Sequence, residues 1–139
     1  MRLGKTKNEE RSRAVGYQVV ARSLLETAHG LDTLAEPRFG NGLAIVSVHA
    51  AIAYTDALTV AFRGIKSVDG DHTRAAEVLA HALGQRAEPG QVKRLKRVLN
   101  AKSAVSYGGD YYTLQEGREV YSDVTRYGAW AEEMLTNRP

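Results

Sequence analysis

The chain has 139 residues, 43% of them hydrophobic and 25% charged, a formal net charge of +3 and no cysteine. That is the make-up of one soluble domain with one sizeable core. The lack of cysteine excludes a disulfide framework, a thiolate metal site and a cysteine nucleophile, and it fits a reducing, cytoplasmic setting.

The small net charge conceals segregation. Residues 1–13 carry five basic and two acidic side chains, residues 92–102 carry five basic and none acidic, and the remainder is net acidic. Such blocks suit a polyanionic or acidic partner, although solvated helix faces show them too. Met1–Arg13 lacks the apolar stretch of a secretory signal. Residues 1–8 are therefore expected to form a flexible basic tail ahead of a single helical domain over 9–136.

Apolar spacing predicts five helices. The first, from about Asn8 to Ala28, places Tyr17, Val20, Leu24 and Leu31 on one stripe, flanked by Ala21 and Ala28. Gln18, Arg22, Glu26 and His29 lie opposite, with Arg22 and Glu26 spaced for an i,i+4 ion pair. Val15 and Val19 sit off this stripe, which suggests contact on a second side, such as a partner subunit. Gly30–Gly42, with Pro37, reads as a break and the longest irregular connection.

Asn41 is the expected N-cap of a second helix, Leu43 to about Arg63. This helix is apolar almost all round, so it should be the central one. Ser47, His49, Thr55, Asp56 and Thr59 interrupt it as a membrane span, and no membrane association is expected. His49 and Asp56, seven residues apart, share a face. A buried carboxylate there requires a partner.

Gly64–Gly70 reads as a short loop, and Asp69 or Asp71 as the cap of a third helix ending near Leu83. Pro89 suits the first position of the fourth. In that helix Val92, Leu95, Val98, Leu99 and Val105 form the inner stripe, while Lys93, Arg94, Lys96 and Arg97 cover the opposite face. Lys102 falls near the middle of the apolar stripe and Ser106 on its flank.

Gly108-Gly109 ends the fourth helix, and Thr113-Leu-Gln-Glu116 matches a capping box for the fifth. There Val120, Val124, Tyr127, Ala131 and Met134 make a packing seam flanked by Trp130. The whole reads as an all-α, up-and-down bundle of four to five helices.

No cofactor or metal site is expected. His29, His49, His72 and His81 lack ligand spacing, and Asp110 beside the glycine pair would repel a phosphate. The pairs Arg22–His29 and Arg74–His81 each share a helix face but are more simply solvated surface. No helix-turn-helix signature is present.

The order of these helices, with Leu99-Asn-Ala-Lys-Ser-Ala-Val-Ser-Tyr-Gly-Gly-Asp-Tyr-Tyr-Thr113 between the last two, resembles the HEPN superfamily over roughly residues 10–136. These are prokaryotic helical-bundle domains commonly paired with nucleotidyltransferases in toxin–antitoxin or defence modules. Nucleases of the family carry an arginine and, four to six residues later, a histidine near the last inter-helix turn. Lys102 stands at the arginine position, and Ser106 or Tyr107 at the histidine position. Asp56 matches an acidic position in the second helix and would be the partner of Lys102.

Lysine lacks the bidentate fork of arginine, and serine cannot shuttle a proton near neutral pH. The resemblance therefore implies a module that binds rather than cleaves, acting as a homodimer with a shared cleft lined by Lys102, Ser106, Tyr107, Tyr111 and Tyr112. A nucleotidyltransferase-type protein, RNA or DNA would be its partner, met by Lys93, Arg94, Lys96, Arg97, Tyr111 and Tyr112. The alternative is a metal-independent endoribonuclease toxin with a divergent motif.

Overall fold

One apolar helix organises the structure, a computed structural model that describes residues 3–106 and 109–138 apart from the side chains of Ser103 and Ser106. This is α2, Gly40–Arg63, seventeen of whose residues are buried. Residues 37–63 are long and apolar enough to cross a membrane, yet 78% of the most apolar window is buried by the rest of the chain. The other helices are α1 (Ala14–Leu34), α3 (Arg74–Leu83), α4 (Pro89–Ser106) and α5 (Leu114–Thr136). All four pack on α2, and around it they follow the order α1, α5, α4, α3. The chain is thus an all-α bundle, as its spacing predicts.

The sequence reading errs at both ends of α1. The helix begins at Ala14 after a 3₁₀ turn, Arg11–Arg13, and continues through Gly30 to Leu34. Gly30 is tolerated because one helical glycine costs only about 1 kcal/mol against alanine. The connection to α2 shrinks to a left-handed Ala35 (φ 54°), Glu36 and a 3₁₀ turn over Pro37–Phe39. The buried seam of α1 is Ala14, Ala21 and Ala28, while Val20, expected to face inward, is 50% exposed. Three alanines a heptad apart let α1 lie close on α2, and that close fit rotates the helix away from its larger side chains.

Residues 6–8 are not part of a loose tail. Thr6–Asn8 forms β1, which pairs antiparallel with β2, Ile65–Ser67, inside the expected loop. The register sets Thr6 opposite Ser67 and Asn8 opposite Ile65. Two three-residue strands carry too little alternation to announce themselves in sequence.

At the other end of the bundle, α2 and α5 cross with no side chain between them. A Cβ on Gly40 would collide with the backbone carbonyls of Tyr112 and Thr113, and one on Gly117 with the backbone of Gly40. The capping box starts α5 as expected. The Thr113 hydroxyl accepts from the Glu116 amide at 3.1 Å, and the Thr113 amide donates to the Glu116 carboxylate at 3.1 Å.

In the core, Tyr127 is fully buried and shares a 2.6 Å hydrogen bond with Thr55. Trp130 packs at its side with ring centroids 5.7 Å apart.

Candidate functional site

Asp56 sits two-thirds of the way along α2 and is only 8% exposed. The ammonium that meets it belongs to Lys66 of β2, at 3.8 Å, and not to Lys102 as the motif reading expects. The strand between Gly64 and α3 folds back along α2 and delivers Lys66 from an element read as loop. Burial pushes the Asp56 carboxyl up to about 7, with Lys66 and Lys7 opposing that shift and Glu9 adding to it. Lys66 also stands over the Tyr17 ring, 4.9 Å from its centroid. Tyr17 in turn donates to Glu9 at 2.7 Å, and Glu9 meets Arg13 at 3.0 Å. A chain of polar contacts thus links the first residues of the protein to the acid in its central helix.

Asp56 and Lys66 form one wall of a cavity of about 290 Å³, with Ile52, Asp69 and His72 among its other lining residues. His49 lies on the same face of α2, two turns before Asp56. Its pKa is lowered, by partial burial first and then by the positive charges of Lys102 and His72. His49 is therefore neutral near pH 7 and able to accept a proton. Lys102 is 4% exposed, so its place on the inner stripe of α4 is as its position predicts. Tyr107 lies outside the described residues, as does the side chain of Ser106, which ends α4. Among the described residues no group of three acids or histidines could hold a metal ion.

The basic face of α4 is divided. Lys93 and Lys96 are exposed. Arg94 and Arg97 both reach Asp123 of α5, at 3.3 and 3.0 Å, and Arg94 also donates to Gln91. Arg97 nevertheless keeps 60% of its side chain in solvent. Arg97 and Tyr112 line a second cavity, of about 230 Å³, between α4 and α5, whose other wall carries Glu116, Glu119 and Asp123. That wall would repel an anion, so any polyanion must stay on the outer ridge of α4.

Tyr111 is 67% exposed, with its hydroxyl donating weakly to the Pro37 carbonyl at 3.4 Å. Gly108 lies outside the described residues, and the segment that follows Gly109 is held by Asn41. This residue is not an N-cap but lies in the first turn of α2, where it donates to the Asp110 carbonyl at 2.9 Å and accepts from the Tyr112 amide at 2.8 Å.

The expected Arg22–Glu26 pair is replaced by a longer-range one. Arg22 binds Glu132 of α5 through two hydrogen bonds of 2.6 and 2.8 Å. Gln18 and Tyr54 donate to the same carboxylate, which lies below the usual glutamate range chiefly because of Arg22. Sequence reasoning missed Lys66, Asn41 in its clamping role and Glu132. None of the three left a periodic signal, since Ile65-Lys66-Ser67-Val68 does not alternate. Compared with known proteins, the chain matches no family model, no curated protein and no solved structure.

Proposed function

We propose that the chain is a HEPN-like helical module that binds a polyanion, nucleic acid foremost, and does not cleave it. The observation that carries this reading is the outer ridge of α4, where Lys93, Lys96 and Arg97 stand exposed at i, i+3 and i+4 spacing. Asp123 fixes Arg94 and Arg97 against α5, so less side-chain entropy is lost when a phosphate arrives. The replaced motif favours binding over chemistry, since a buried lysine stands at the arginine position.

Binding through this ridge should weaken steeply with salt, because each neutralised phosphate releases counterions. Titration of RNA and DNA oligomers across a salt series tests it. Binding at low salt that Lys93→Glu with Lys96→Glu abolishes is the expected result. The absence of binding at low salt, or indifference to those two substitutions, sinks the reading.

A second reading has its own observation. His72 lines the Asp56–Lys66 cavity, and His49, on the same helix face as Asp56, feels the charge of His72, which together would give a proton acceptor and, in Lys66, a cation to steady a phosphate. An endoribonuclease of this kind should lose RNA cleavage on His49→Gln or His72→Gln. If the purified protein leaves RNA intact, the second reading fails and the first stands.

A further inference from the structure

The helix α1 has two faces that look made for packing, and only one of them is covered. Opposite the Ala14, Ala21, Ala28 seam lie Gly16, Val20, Ser23, Thr27, Gly30 and Leu34, all exposed and spaced by four, three, four, three and four residues. Val15 and Val19 extend this face on one side. Val15, Val19, Val20 and Leu34 are 50%, 56%, 50% and 63% exposed. A surface helix ordinarily sets charged residues there. Over five turns this face carries none along its centre, and Glu26 stands at its edge. A contiguous uncharged stripe of this length marks an interaction surface.

The glycines sharpen the point. A Cβ at Gly16 or Gly30 would meet nothing within 4 Å, so nothing in the fold of one chain requires glycine at either position. Each costs helix stability by about 1 kcal/mol relative to alanine. Their distribution along the face names the occupant. The stripe is symmetric about the level of Leu25. When a second α1 is laid antiparallel, Gly16 comes opposite Leu34, Val20 opposite Gly30, and Ser23 opposite Thr27. Every large side chain then meets a small one, twice, as a two-fold axis requires.

The edge agrees. A two-fold axis brings the same edge of both helices together, so Glu26 of each copy lies two residues, about 3 Å along the axis, from the level of the other copy's Arg22, which Glu132 holds in its own chain. Glu26 makes no ion pair within its own chain among the described residues. On that edge, between α1 and α5, lies a cavity of about 310 Å³ lined by Leu25, His29, Tyr54 and Tyr121. The same axis carries the exposed Val19 of each copy to within two residues, about 3 Å along the axis, of the level of His29 in the other, one of the residues that line that cavity. The knob and the hole are both present, on opposite sides of the axis.

We infer that the outer face of α1 is a self-association surface whose partner is a second copy of this chain, packed antiparallel about the level of Leu25. The surface is distinct from the cleft around Lys102 that the family resemblance implies, because Lys102 is already covered by its own chain. It is also separate from the α4 ridge proposed to bind nucleic acid.

Sedimentation equilibrium over a range of concentrations tests it, comparing the native chain with the double variant Gly16→Gln, Gly30→Gln. Both substitutions point into open space in the single chain and raise helix propensity. The variant should therefore keep or raise its melting temperature at low concentration while losing the dimer, and should bind nucleic acid as before. A native chain that stays monomeric, or a variant that dimerises as well as the native chain, overturns the inference.

Register has a separate test, made clean because the chain has no cysteine. Mixed and oxidised, Ser23→Cys and Thr27→Cys proteins should cross-link to each other in preference to themselves. Predominant Ser23→Cys self-linkage would show a parallel pair and overturn the antiparallel seam.

Discussion

Asp56 is the residue whose environment most clearly sets a measurable property. In the unfolded chain its carboxyl titrates near the ordinary aspartate value, about 3.9, and in the folded protein burial moves it up to about 7. The folded state therefore holds a proton that the unfolded state has released. The resulting contribution to stability is complete below about pH 4 and is lost as pH rises through about 7.

Asp56→Asn removes this dependence. At pH 8 the variant should melt higher than the native protein, by on the order of 2–4 kcal/mol. That advantage should shrink as the pH falls through 7 and approach nothing only below about pH 4. Thermal melts of both proteins across pH check this, and an Asn variant less stable at pH 8 would mean that Lys66 outweighs burial.

The sequence showed that Asp56 sits in an apolar helix, where a buried acid must be either paired or protonated. It did not show which cation it meets. Lys102 shares its inward direction, but Lys66 wins by arriving on a strand three residues long, which no periodicity reveals.

Among the elements, the crossing of α2 and α5 is the least tolerant of change. With Gly40 and Gly117 packed backbone to backbone, one added methyl must push two helices apart. Gly117→Ala should destabilise the protein by roughly 2–3 kcal/mol, the usual scale for overpacking a core. By contrast, Gly16→Ala should stabilise the single chain by about 0.5–1 kcal/mol through helix propensity. Urea unfolding at low protein concentration distinguishes the two, and a harmless Gly117→Ala would contradict the close crossing.

Helix beginnings were readable where side chains do the capping. Thr113 and Glu116 fixed the start of α5, and Pro89 that of α4, because each satisfies or removes an otherwise unpaired amide. The ends of α1 were not, since Arg13 offers no side-chain cap and Ala35 takes a left-handed φ more typical of glycine. The rotation of α1 was hidden for a related reason. Valine outranks alanine in any hydropathy reading, while close helix packing prefers the smaller residue.

For the molecule as a whole, α2 touches every other helix, and few contacts join the outer helices to one another. No pair of outer helices has a core of its own, so the bundle should unfold in one step. Far-ultraviolet dichroism and Trp130 fluorescence should give coincident thermal transitions, and separated transitions would show that part of the ring survives alone. This architecture was legible from the apolar residues that α2 carries almost all round. The exposed basic ridge of α4 was legible as well, from Lys93, Lys96 and Arg97 on the side away from the apolar stripe. The loss of Arg94 and much of Arg97 to Asp123 was not, because Asp123 lies 26 residues beyond Arg97.

The clasp between β1 and β2 has a consequence for synthesis. Thr6 pairs with Ser67, so the first strand leaves the ribosome about sixty residues before its mate. Until α2 and β2 have followed, Lys66 and its carboxylate cannot meet, and Tyr17 has no cation to stand over it. β1 is made well before β2 and is among the last elements to settle. A bulky fusion placed ahead of it would burden the emerging chain at the very strand that has longest to wait.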